Sequence, residues 1–188
     1  TQKVATLSLF PTSPQEVEKL VGNIRNNVSA GIDELSALPI KYVAALISSP
    51  LTHIINRMLE TGIFPSDLKL ARICPIHKGG AVGDISNYRP VSVLPVLSKV
   101  FENVINTCLV NFINKHQMIN DAQYGFQKKK STELALLHIK DKILHDIENK
   151  LYSVGPFIDL RKAFDCVNHD ILLLKLNDYG IRGIALDL

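Results

Sequence analysis

A chain of 188 residues, 46% of them hydrophobic and with a mean hydropathy of +0.13, carries enough apolar side chain to bury a core, which excludes a disordered tail. Its formal net charge of +3 is too small a basic excess to mark a dedicated nucleic-acid-binding domain from composition alone. No basic stretch leading into an apolar one opens the sequence, and no uninterrupted apolar run approaches the ~18 residues of a membrane span. The expectation is an intracellular protein, nuclear or cytoplasmic. Cys74, Cys108 and Cys166 are odd in number and far apart, which fits neither a disulfide framework nor zinc spacing, and they are expected as reduced core residues.

In chain order, Ser13-Pro-Gln-Glu16 has the form of a capping box with proline at the first helical position. Val17, Leu20, Val21, Ile24 and Val28 follow at helical spacing and predict a surface helix running to Gly31. Residues 35–61 predict two more helical pieces, the second opened by Ser49-Pro50, closed by Gly62, and facing Leu51, Ile54, Ile55, Met58 and Leu59 inward. Residues 1–56 therefore read as a helical N-terminal extension. Residues 70–76 and 91–94 are strand-like and flank a Gly-rich stretch at 78–87, which predicts a hairpin with a long tip. An amphipathic helix is expected over 95–116, a polar loop to Lys130, and a further helix over 131–149. Residues 151–158 are rich in Leu, Tyr, Val, Phe and Ile and predict a buried strand, made irregular by Gly155-Pro156. Asn168 or Asp170 then caps a last helix carried by Ile171, Leu172, Leu174 and Leu176 and stopped by Gly180. This order is an α+β arrangement whose sheet is short of strands.

Chemistry concentrates in Phe157-Ile-Asp-Leu-Arg-Lys-Ala-Phe-Asp-Cys166. The stretch sets the Asp159 carboxylate at the mouth of the predicted strand and follows it at once with a turn, a place from which a rigid carboxylate can grip a metal. An aspartate in such a turn also suits the capping of backbone amides. Asp165, six residues on, falls where the chain has turned toward a helix and is expected as a cap or a salt-bridge partner. Lys128-Lys-Lys130 lies in a loop where phosphate contacts are accessible, or where it is simply a solvated charge run. His138 and His145 lie two turns apart on one helix, ~10 Å, too far to share a metal.

Taken whole, Phe157 through Leu160, Lys162-Ala-Phe-Asp165 and Val167-Asn-His-Asp-Ile171 resemble the first catalytic motif of the reverse transcriptases of non-LTR (LINE-like, jockey/CR1-type) retrotransposons. Further blocks stand in the same order upstream. Gly62-Ile-Phe-Pro65, Ala71-Arg-Ile-Cys-Pro-Ile-His-Lys-Gly79, Asn87-Tyr-Arg-Pro-Val91 and Ser98-Lys-Val-Phe-Glu102 look like that family's finger motifs, and Gln123-Tyr-Gly-Phe126 with Ser131-Thr132 looks like the next block. The resemblance implies an RNA-directed DNA polymerase acting on an RNA template, a DNA primer and deoxynucleoside triphosphates with two Mg2+ ions. The fold it implies is the fingers and first palm strand and helix of a right-hand polymerase. The corresponding domain would be 57–188, with fingers to about residue 150 and the start of an incomplete palm at 151–188.

Residue by residue, the resemblance makes Asp159 the first metal ligand and the Leu160 carbonyl a second contact. Lys78 and Arg89 would meet the triphosphate, with the amides of Lys162 and Ala163 as backbone donors beside it. Phe164 would be the aromatic that fills the place of a ribose 2′-hydroxyl. Gln123, Gly125 and Phe126, with Lys128, Lys129 and Lys130, would grip the template. The alternatives are surface cations at Lys78 and Arg89, core packing at Phe164, and a glycine turn with a buried aromatic at Gln123 to Phe126. The family's palm continues to a hairpin bearing Asp-Asp, and no such pair occurs in these 188 residues. The segment is therefore expected to be inactive alone; the alternative is a non-catalytic nucleic-acid-binding remnant. Leu68-Lys69 stands where the family often has Trp-Lys, and Arg161 where a small polar residue is usual.

Overall fold

Ser13 begins the first helix as its sequence dictates. In a computed structural model describing residues 5–160 and 163–188, its hydroxyl accepts the Glu16 amide at 3.3 Å while the Glu16 carboxylate accepts the Ser13 amide at 3.0 Å. The helix, α1, spans Pro14–Gly22 and buries Val17 and Val21 one turn apart. It ends nine residues before Gly31, the expected stop. Gly22 and Asn23 are weak helix formers, and the Asn23 amide closes the last turn on the Lys19 carbonyl at 3.1 Å. Ile24 and Val28 still pack on the core from the loop that follows, so the apolar spacing outlasts the helix that it suggested.

Helix α2 (Ala37–Tyr42) leads into α3 (Ala44–Thr61). Pro50 lies inside α3 instead of opening it. It deprives the Leu46 carbonyl of its helical partner, and Leu46 is exposed, so water can replace the lost bond. Gly62 ends the helix as expected, at φ 71°, with its amide on the Met58 carbonyl at 2.9 Å. Ala44, Leu51, Ile55, Met58 and Leu59 form the middle of a core completed by α4 (Val96–Lys115), which contributes Val96, Val100, Phe101 and Val104. By length and apolar composition α4 could cross a membrane, and 33% of that apolar stretch is buried inside the protein. Two close contacts fix its start. The fully buried Ser98 hydroxyl donates to the Leu68 carbonyl at 2.7 Å, and Gly31 lies against Pro95 so tightly that a Cβ there would come within 2.5 Å of the proline nitrogen.

The expected hairpin is present as β1 (Arg72–His77) and β2 (Tyr88–Val93), paired antiparallel with Cys74 opposite Val91, Pro75 opposite Pro90 and His77 opposite Tyr88. The Lys78 amide donates to the Asn87 carbonyl at 2.7 Å, which makes 78 and 87 a hydrogen-bonded pair. Counting inward, Pro75 and Pro90 fall on a non-hydrogen-bonded pair, so both missing amides lie on the outer edges of the ribbon.

These elements, up to Phe112 and with Leu173–Leu188, make one compact unit, and Ile113–Leu172 makes another. In the first, the Leu7 amide donates to the Gly180 carbonyl at 2.8 Å, and the short helix α7 (Ile184–Asp187) lies beside Gly62. The second holds α5 (Thr132–Glu148), capped by the Ser131 hydroxyl on the Leu134 amide, and the start of α6 (His169–Asp178), where Asn168 and not Asp170 is the cap, accepting the Ile171 amide at 3.1 Å. The strand expected over 151–158 is not formed. That stretch has no sheet neighbour among the described residues, and Tyr152, Val154, Phe157 and Ile158 are exposed. A strand is stabilised by its partner's backbone and side chains, and apolar composition alone does not supply them. Helices with one small sheet remain, a mixed architecture consistent with part of a polymerase fold. Cys74 and Cys108 are half-buried and Cys166 is exposed, so none of the three is the core residue expected.

Candidate functional site

The hairpin tip places Lys78 and Arg89. Strand alternation puts Arg89 on the same face of the ribbon as Ile76, its partner, and Lys78, two residues beyond Ile76, on that face as well. The two cations are thus diagonal neighbours on one surface. Both are exposed. Lys78 Nζ touches the Ser86 carbonyl at 3.5 Å, a long contact easily exchanged for an anion. The Arg89 guanidinium has no hydrogen bond or ion pair among the described residues. Two planar or paired supports hold the mouth of the loop: the His77 and Tyr88 rings stand 5.1 Å apart, and the Tyr88 hydroxyl donates to the Val82 carbonyl at 2.9 Å. Within the tip, Asp84 accepts the Ser86 amide at 2.8 Å, a bond that holds its carboxyl below the ordinary carboxylate range.

The other candidates lie in the second unit. Asp159 follows the irregular 151–158 stretch and is exposed, as is Leu160. Together they present two hard oxygens, the carboxylate and a carbonyl, of the kind magnesium takes. Among the described residues, no three His, Cys, Asp or Glu side chains come together to hold a metal. The donors on hand therefore do not make up a two-magnesium site. Lys162 lies outside the described residues. Ala163 and Phe164 open a turn, and Asp165 in that turn makes neither the cap nor the salt bridge expected of it among the described residues.

Phe164 is 80% exposed, and its ring meets Phe126 edge to face at 6.4 Å and 87°. Phe126 is itself 94% exposed and has φ 60°, a left-handed backbone that a bulky residue adopts at a cost of about 1–2 kcal/mol. A buried aromatic in a glycine turn is thereby overturned for this block: Gly125 has ordinary φ and open space around it, and the strained, exposed residue is Phe126. Gln123 bends back to the Gly125 carbonyl at 3.4 Å. Of the three lysines, Lys128 and Lys129 are exposed, whereas Lys130 donates to the Asp121 carbonyl and lies 5.1 Å from the centre of the Tyr124 ring. Tyr124 in turn shares a 2.6 Å hydrogen bond with His138 Nδ1, tying the loop to α5. Sequence reading treated His138 as incidental. Its partner lies 14 residues away in a loop, where no helical periodicity signals it.

A family model for reverse transcriptase (RNA-dependent DNA polymerase) matches residues 76–186. The chain is 34% identical over 171 residues to the RNA-directed DNA polymerase from mobile element jockey of Drosophila melanogaster, an overlap that covers 90% of this chain and 19% of that protein. From the same organism, the probable RNA-directed DNA polymerases from transposon BS and transposon X-element are 33% and 31% identical, over 89% and 90% of this chain and 19% of each relative. The chain spans about a fifth of the length of these curated relatives.

Proposed function

The chain belongs to the reverse transcriptase (RNA-dependent DNA polymerase) family, and on that premise we propose that it is the fingers and early palm of a non-LTR retrotransposon polymerase that copies RNA into DNA. The supporting observation is that the matched stretch, 76–186, holds Lys78, Arg89, the Gln123 to Lys130 block and the Asp159 to Phe164 motif in one order. The ribbon, α4 and α5 are the finger elements in this reading, and residues 151–188 begin the palm.

Nucleotide addition displaces pyrophosphate from the α-phosphorus of a deoxynucleoside triphosphate by the primer 3′-oxygen, and negative charge grows on the leaving group. Lys78 and Arg89, on one ribbon face, supply a point charge and a planar fork to that group. The Lys162 and Ala163 amides add backbone donors. Phe164 lies under the incoming sugar, where the ring leaves no room for a 2′-hydroxyl. Phe126, Gln123, Gly125 and the exposed Lys128 and Lys129 face the template, the aromatic by stacking on a base and the lysines on phosphates. Lys130, held by Asp121 and Tyr124, shapes that loop. Magnesium is the cofactor this reading implies. Asp159 and the Leu160 carbonyl are the part of its site that this segment contributes, and the partner carboxylates belong to residues outside it.

The test is primer extension on an RNA template by a longer polypeptide that contains this segment, with and without Asp159→Asn. Loss of extension at an unchanged melting temperature is the expected result. Full activity of the variant would remove Asp159 from the site.

A further inference from the structure

The ribbon tip contributes no buried side chain, so no core packing gives it shape, yet it is closed by a set of bonds that converge on one residue. Asn87 uses three of its four polar groups across the loop. Its amide donates to the Asp84 carbonyl at 3.0 Å, its carbonyl accepts the Lys78 amide at 2.7 Å, and its side-chain Nδ2 donates to the Ala81 carbonyl at 2.9 Å. Facing it is Gly80, at φ 90°, where a Cβ would come within 2.8 Å of Asn87 Nδ2. The bare backbone of Gly80 leaves the space that the Asn87 side-chain amide occupies.

We infer that Asn87 is the positioning residue of the Lys78 and Arg89 pair, holding the tip so that both cations address one polyphosphate. The inference rests on the reading that this pair meets the triphosphate. Lys78 is bonded through its backbone to Asn87, and Arg89 lies two residues farther along the strand that Asn87 leads into. Without the side-chain amide the Ala81 carbonyl loses its partner and the loop gains conformations. Binding an anion must then order the loop, and that entropy is subtracted from affinity. Asn87 acts through the cations and does not touch the anion.

The experiment is calorimetric titration of the 188-residue chain with inorganic tripolyphosphate, using wild type, Lys78→Ala, Arg89→Ala, Asn87→Ala, Gly80→Ala and the double variant Lys78→Ala/Asn87→Ala. Lys78→Ala and Arg89→Ala should each weaken binding about tenfold, as loss of one charge-assisted contact does. Asn87→Ala should weaken it about fivefold, as loss of one ordering hydrogen bond does, with an unchanged melting temperature. Gly80→Ala, which displaces the same amide and also strains the backbone at φ 90°, should weaken binding at least as much and stands in if Asn87→Ala melts early. In the Lys78→Ala background, adding Asn87→Ala should cost clearly less than it does in wild type, because only Arg89 is left for it to position.

Wild-type affinity in both Asn87→Ala and Gly80→Ala, with Lys78→Ala and Arg89→Ala weakened, would overturn the role of Asn87 and leave the cation pair standing. A full additive loss in the double variant would overturn positioning in favour of direct contact. Absence of wild-type binding, or wild-type binding by both cation variants, would overturn the cation-pair reading itself and the inference with it.

Discussion

Phe164 and Phe126 meet edge to face although 38 residues separate them, and neither is buried. A pair this exposed contributes little to folding. In a polymerase containing this segment, Phe164→Val should raise incorporation of ribonucleotides relative to deoxynucleotides by about 10-fold to 100-fold, the range that steric exclusion in such pockets provides. The ratio of kcat/KM for matched nucleotides is the measure; equal falls in both rates would make Phe164 a packing residue. Asp165→Asn, at an exposed position without a described partner, should change stability by less than about 0.5 kcal/mol and leave extension rates near wild type. Gly31→Ala should lower stability by about 1–3 kcal/mol in denaturant melts, since the new methyl group meets the Pro95 backbone. Residues with local roles were legible in the sequence: Ser13 and Glu16 announce their cap three residues apart, and Gly62 its helix end. The Phe126 contact, the strain at Phe126 and the Tyr124 bond to His138 were not, because they depend on loop paths that no periodicity encodes.

At the scale of elements, the capping box of α1 ties helix stability to pH. The Ser13 amide, then the Thr12 hydroxyl, hold the Glu16 carboxyl below its ordinary value of 4.5. A carboxyl depressed in the folded state adds stability above its unfolded pKa and loses it as pH falls through the folded one. The melting temperature of wild type should therefore drop below about pH 4.5 more steeply than that of Glu16→Gln. The difference should be small, since Glu16 is exposed and solvent screens its charge. Ser13→Ala should cost about 1 kcal/mol at neutral pH. The hairpin was legible from two strand-like runs around a glycine-rich loop, and α4 and α5 from their spacing. Residues 151–158 were misread because a buried strand and an unpaired apolar stretch have the same composition. Only the neighbour distinguishes them.

For the whole molecule, that stretch and the exposed apolar residues of α5, among them Leu136, Ile139, Ile143 and Ile147, leave considerable surface uncovered. The 188-residue chain should self-associate, visible as concentration-dependent elution in size-exclusion chromatography; a sharp monomer peak at all concentrations would contradict this. It should also incorporate no nucleotide on a primed RNA template, and incorporation above a heat-killed control would show that its carboxylates suffice.

The bond between the Leu7 amide and the Gly180 carbonyl bears on how the protein is made. It closes a unit whose two parts are separated in sequence by the whole of the other, so the unit cannot be finished until Gly180 has left the ribosome. At roughly 5–20 residues per second, synthesis from Leu7 to Gly180 takes on the order of ten seconds or more. Throughout that interval the residues around Leu7 wait without their backbone partner, a window in which a chaperone can hold them and a protease can cut them.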